Sequence, residues 1–242
     1  MKHILHYSEI DSTQRVALSL AKEGATDGIA VLSSMQTRGK GRGIHAWHSP
    51  PGGLYLSVVV APDPMGLHLL SLTIGLELAR QLSDGTGSGL MVKWPNDLVT
   101  LDAEGRMRKV AGVLTDVLSV SHGAPTAVVG LGVNVHPVPL PPEIQWQAAF
   151  LDEVTGHRHE LPELSHLMLE AVERAVLRIS EPEQRALIGA ELNQRLWGVG
   201  KEVSVDGVKG ILLGIGESGE VVLSTPGGPE SFFSGELALL ER

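Results

Sequence analysis

The chain has 242 residues, 43% of them hydrophobic, enough for a sizeable core and too many for a disordered chain. It contains no cysteine, which excludes disulfides, thiolate zinc sites and cysteine nucleophiles. A formal net charge of −9 weighs against a nucleic-acid partner, which demands a footprint of Lys and Arg.

Taken in chain order, residues 4–9 read as a short strand. Asp11, Ser12 and Thr13 are good helix caps, and a short helix carrying Val16, Leu18, Leu20 and Ala21 follows, ending at Gly24. The apolar run 28–34 predicts a buried strand. Residues 36–51 are rich in glycine and polar side chains and predict a long irregular loop, a feature usually tied to function. Gly52-Gly53 turns the chain into a strand over 54–61. Residues 66–83 predict a largely buried helix, and 90–94 a strand stopped by Pro95. Strands are expected over 97–101 and 109–120 around a turn at 102–106, and again over 126–135. Four prolines within 137–142 exclude regular structure there. Apolar residues at 164, 167, 168, 171, 172, 175, 176 and 179 place an amphipathic helix against a core. A weaker helix covers 183–196.

From residue 198 short β runs alternate with turns: 202–205, 208–214, 221–224, 231–233 and 237–240. Turn signals at Asp206-Gly207, Ser218-Gly219 and Gly227-Gly228 argue for a small barrel. The expected division is 1–196 and 197–242. No run of apolar residues is long enough to cross a membrane, and the first nine residues lack the shape of a secretory signal. A cytoplasmic protein without a membrane partner is expected.

Several segments carry chemistry. Gln36-Thr37-Arg38-Gly39-Lys40-Gly41-Arg42-Gly43 sets three cations among alternating glycines. Such glycines let backbone N–H groups turn toward an anion, and an arginine fork grips phosphate. In an acidic protein this cluster suits a small anionic ligand. The segment is neither a P-loop nor a dinucleotide fingerprint, and a flexible surface hairpin is the competing reading. Lys93-Trp94-Pro95-Asn96-Asp97 places a Lys, an Asn and an Asp at a strand-to-strand junction. It fits either an ordinary turn or contacts to a magnesium-bound triphosphate. Lys109 opens an apolar strand, where it is either solvated or set to neutralise a carboxylate attacking phosphorus. Gly130-Leu131-Gly132-Val133-Asn134 marks either a bulge or a close approach. Ser12-Thr13-Gln14 is a cap or a binder of a polar ligand head. Trp47 is packed or stacked on a base. The ten histidines form no HExxH, and His157 and His159 read as surface residues. No Gly-x-Ser-x-Gly elbow supports a serine hydrolase.

In this order, with Trp47-His48-Ser49-Pro50-Pro51-Gly52-Gly53-Leu54-Tyr55-Leu56-Ser57 and Lys109-Val110-Ala111-Gly112 included, the segments resemble the biotin–protein ligase family over nearly the whole chain. The resemblance implies an α/β (α+β) fold: a mixed sheet with helices, like class II aminoacyl-tRNA synthetases, followed by an SH3-like barrel. It implies that biotin's carboxylate attacks the α-phosphate of Mg-ATP, and that a lysine of a biotin carboxyl carrier protein then takes the biotinyl group. It carries Lys109 over as the lysine touching biotin and the reacting phosphate, and Arg42 as the adenylate clamp. Biotin contacts fall on Ser12, Thr13, Gln14, Gln36, Gly39, Lys40, Gly41, Arg42, Lys109, Gly112 and Gly130. ATP contacts fall on Arg42, Trp47, Lys93, Asn96, Asp97 and Asn134, with Asp97 a Mg²⁺ contact through the phosphates. Two departures stand out: Gln14 sits where Asn is common, and Lys40 where Arg is frequent. Some relatives carry an N-terminal helix-turn-helix; this sequence opens almost at the catalytic segments, so DNA binding is not expected. The family often forms homodimers through its sheet. A lipoate–protein ligase, and a biotin-binding protein without turnover, are the rival readings.

Overall fold

The computed structural model describes residues 3–25, 28–83, 89–118 and 125–240. Strand β1 (His3–Tyr7) leads into helix α1 (Thr13–Lys22) and strand β2 (Ile29–Ser33). Because the helix carries the chain back along the sheet, β1 and β2 pair in parallel. Strand β3 (Gly53–Val60), helix α2 (Leu70–Ser83) and strands β4 (Met91–Lys93), β5 (Asp97–Leu101), β6 (Met107–Leu118) and β7 (Thr126–Asn134) follow. They complete a seven-stranded mixed sheet in the order β1-β2-β3-β7-β6-β5-β4. Every other neighbouring pair is antiparallel.

All eight residues of β3 are buried, because both faces of the sheet are covered there. Alternation assigns the faces. Val31, Val59 and Val128 pack with Ala17 of α1. Ala30, Val58, Val60 and Val129 join the larger core on the opposite side, with Leu70, Ile74 and Leu78 of α2. Two short helices, α3 (Pro142–Gln145) and α4 (Leu151–Thr155), lead into α5 (Leu161–Ser180) and α6 (Pro182–Arg195). Helix α5 buries Leu164, Met168, Ala171, Val172, Ala175 and Ile179 on one stripe. Its Arg178 binds Glu77 of α2 and Glu191 of α6, tying three helices through largely buried charge.

Strands β8 (Glu202–Val205), β9 (Val208–Ile215), β10 (Val221–Thr225), β11 (Gly228–Phe232) and β12 (Leu237–Leu239) form a five-stranded antiparallel sheet. It shares the main core: Val203, Leu212, Val221 and Leu237 belong to the same buried cluster as the helices. Trp94 Nε1 donates to the Gly219 carbonyl at 3.1 Å, and the Trp197 amide donates to Val92 at 2.9 Å.

Two expectations need correction. Pro142 begins α3, since a proline at a first helical position lacks only an N–H that would have no partner there. Residues 36–51 form the expected irregular loop, folded back on itself as a hairpin where Gly41 donates to His45 and Trp47 to Gly39. His159 is not a surface residue, for its ring binds Asp152 at 3.0 Å and its side chain is 11% exposed; His157 is exposed, as expected. The end of the strand expected over 109–120 lies outside the described residues.

Candidate active site

A cleft of about 1140 Å³ opens beneath the 36–51 hairpin, large enough for a small acid and a nucleotide together. Strands β3, β6 and β7 form its floor, the start of α1 closes one end, and the C-terminal sheet contributes residues 235–239 to the other. Of the sequence candidates, Thr13, Gln14, Gln36, Lys40, Gly41, Arg42, Trp47, Lys93, Asn96, Asp97, Lys109, Gly112 and Gly130 line it. Ser12 and Gly39 are buried, next in the chain to the lining residues Thr13 and Lys40, and Asn134 stands behind, donating to the Lys109 carbonyl at 3.2 Å.

One end is a polar ladder. Gln14 of α1 donates to the Val128 carbonyl at 3.0 Å and to Asp116 at 2.9 Å. Ser57 of β3 donates to the Gln14 amide oxygen at 2.9 Å. The Thr13 hydroxyl lies 2.9 Å from Ser57 and 3.1 Å from the Gln36 amide oxygen, which also accepts the Thr13 N–H at 2.8 Å. Gln36 then donates to Ser49 at 2.9 Å, and Ser49 to the Trp47 carbonyl at 3.0 Å. Thr13 and Ser57 supply two hydroxyl protons to three close contacts. The ladder is therefore short of donors, and an incoming N–H would complete it. Ser12 stands at the helix cap position, yet its hydroxyl makes no cap bond and is buried without a partner. Such a group is costly unless a ligand satisfies it.

The middle of the floor is cleared by glycine. Gly112 and Gly132 face each other across β6 and β7, and the Trp47 ring lies on that pair. A Cβ built at Gly132 would come within 2.5 Å of the indole, and one at Gly112 within 2.9 Å. Gly130 yields its space to Gln14 instead, with 2.5 Å from a built Cβ to the amide oxygen.

The other end is charged. Lys109 Nζ lies 2.7 Å from Asp97 and 4.9 Å from the centre of the Trp47 ring. Asn96 donates to the Val113 carbonyl at 2.6 Å, fixing the turn that presents Asp97. Burial lowers the pKa of Lys93; Asp97 and Glu236 oppose that shift, and Lys109 adds to it. Arg42 is not brought to this group, since its guanidinium donates to the Gly235 carbonyl at 2.6 Å. Among the described residues no cluster of three or more His, Asp or Glu is ready for a metal. Asp97 is a single carboxylate already paired with lysine. That donor set fits Mg²⁺ arriving with a triphosphate rather than a resident ion.

Sequence reasoning missed Ser49, Ser57 and Asp116. Two signals were available: Ser57 interrupts the apolar run of β3, and Asp116 is an acidic residue within a strand otherwise rich in aliphatics.

Comparison with known proteins agrees with the fold. Residues 7–134 match the profile of the Biotin/lipoate A/B protein ligase family, and the chain belongs to that family. A structure of the biotin protein ligase from Aquifex aeolicus in complex with biotin and ATP superposes with a TM-score of 0.83, at 28% identity over the whole of both chains. The biotin–[acetyl-CoA-carboxylase] ligase of Paracoccus denitrificans is 29% identical over 248 residues, covering 93% of this chain and 98% of that one. The bifunctional ligase/repressor BirA of Bacillus subtilis is 25% identical over 252 residues, covering 98% of this chain and 74% of the relative.

Proposed function

We propose that this protein activates biotin with ATP and transfers the biotinyl group to a lysine of a biotin carboxyl carrier protein. The observation that carries the reading is one cleft with a donor-short polar ladder at one end and the Lys93–Lys109–Asp97 group at the other. A cyclic urea offers two N–H donors and a carbonyl. Thr13, Ser57 and Gln36 suit the donors, and the unpartnered Ser12 hydroxyl suits the carbonyl. A carboxylate on the same molecule then reaches toward Lys109.

In the first step an oxygen of that carboxylate attacks the α-phosphorus of Mg-ATP. The bond from phosphorus to the bridging oxygen breaks, and pyrophosphate leaves with the electron pair. Two anions must meet, so fixed cations are needed where charge develops. Lys109 exchanges Asp97 for the reacting carboxylate and phosphate, and Asp97 turns to the magnesium-bound phosphates with Asn96 and Lys93. In the second step the carrier's ε-amine attacks the acyl carbon, loses a proton, and AMP leaves. The mixed anhydride hydrolyses in water, so the hairpin of Gly39, Lys40, Gly41 and Arg42 serves as a lid that excludes solvent. Trp47 moves from the Gly112–Gly132 pair to stack on adenine, and Asn134 supports the nucleotide end from behind Lys109.

The reading divides the chain into a catalytic unit, 1–196, and an SH3-like unit, 197–242. It places the protein in the cytoplasm, in keeping with an absence of cysteine and of any membrane-crossing helix among the described residues. It assigns no nucleic-acid role, in keeping with the net charge of −9. The exposed edge strand β1 supports pairing with a second copy. Pyrophosphate release from ATP should depend on biotin and not on lipoate. Release with lipoate but not biotin would assign the other branch of the family.

A further inference from the structure

One carboxylate serves both the lid and the floor. Lys40 Nζ lies 3.0 and 2.8 Å from the two Asp116 oxygens, and Gln14 donates to one of them at 2.9 Å. The base of the hairpin is tied by backbone bonds, Thr37 to Ile10 and Arg38 to Asp11. Toward its tip it reaches other described segments through the side-chain bonds of Lys40 to Asp116 and Arg42 to Gly235. The Lys40 pair is half exposed, 36% and 29%, so it adds little to global stability. Its effect is local. It ties the tip to β6, and the same carboxylate accepts from the Gln14 amide, whose oxygen faces Ser57.

We propose that Asp116 is a positioning residue of the biotin site, coupling closure of the lid through Lys40 to the orientation of the Gln14–Ser57–Thr13 ladder. The inference rests on the ligase reading. The length of the Gln14 side chain gains meaning from it, because its amide reaches from α1 as far as Asp116 and Val128 on facing positions of β6 and β7.

The test combines kinetics with hydrogen exchange on Asp116→Ala, Asp116→Glu, Lys40→Ala and the Asp116→Ala/Lys40→Ala double variant. Losing a charge-assisted bond should raise the KM for biotin about tenfold in Asp116→Ala, with kcat falling by less than KM rises. Backbone amides 37–47 should exchange faster in the protein alone. Asp116→Glu should recover part of both effects, and the double variant should lose less than the two single losses combined. Wild-type KM and unchanged exchange in Asp116→Ala would overturn the proposal. So would additive losses, or a loss of melting temperature and kcat at unchanged KM. If the wild type releases no biotin-dependent pyrophosphate, the ligase reading fails, and the exchange of amides 37–47 still decides the latch.

Discussion

Lys93 is half-buried between two carboxylates and a second lysine, and its charge is expensive to keep there. Its pKa lies below the ordinary lysine value of 10.5, mainly through burial. The unfolded chain therefore binds this proton more tightly than the folded protein. The cost of holding the charge is full at low pH and is relieved as pH climbs through the lowered pKa toward 10.5. If the cation serves phosphate binding, pyrophosphate release should fall on an alkaline limb below the ordinary lysine range. Lys93→Arg should move that limb upward, since a guanidinium keeps its proton. A limb at the same pH in Lys93→Arg would remove Lys93 from the role. The candidates around it were legible because each pairs an unusual residue with a strand end: Lys109 before an apolar run, Asn96 and Asp97 after Pro95. Ser57 and Asp116 were not singled out, because lone polar residues in strands gain meaning only from what faces them. Their partners, Gln14, Thr13 and Lys40, lie between 43 and 102 residues away in the chain.

At the scale of elements, periodicity placed the larger pieces well. The 3.6-residue stripe gave α5, and buried runs gave β2, β3 and β7. Helices α3 and α4 were not anticipated, since four or five residues are too few to show a period. A hairpin was one reading of 36–51 and an anion cradle the other; the structure folds the segment back on itself and sets Lys40, Gly41 and Arg42 along the cleft. Gly39 is needed by contact: a side chain there would strike the Trp47 carbonyl and Ser49. Behind the sheet, Arg178 holds Glu77 and Glu191, of which Glu77 is 5% exposed. Arg178→Ala leaves both acids to Arg80 and should cost about 3 kcal/mol, the lower end for breaking a buried pair. A urea titration should show a lower midpoint at unchanged slope; an unchanged midpoint would mean that the network is neutral.

For the whole molecule, the C-terminal sheet is part of the cleft rather than an appendage. It accepts from Arg42 at Gly235 and from Trp94 at Gly219, and it shares the buried core with α2 and α6. The sequence identified its strands from turn residues but offered no sign that it would reach the 36–51 hairpin, because that contact is a backbone carbonyl meeting a side chain 193 residues away. Arg42 bridges the two parts; under the proposed function, its exchange of Gly235 for the adenylate would link lid closure to their relative placement. The most direct test of the account is the intact mass of a biotin carboxyl carrier domain incubated with this protein, biotin and ATP. The account predicts one biotinyl addition that requires both small molecules and disappears with Lys109→Ala, whose melting temperature should match wild type. A carrier left unmodified by the wild-type protein, or modified equally well without ATP or by Lys109→Ala, would contradict it.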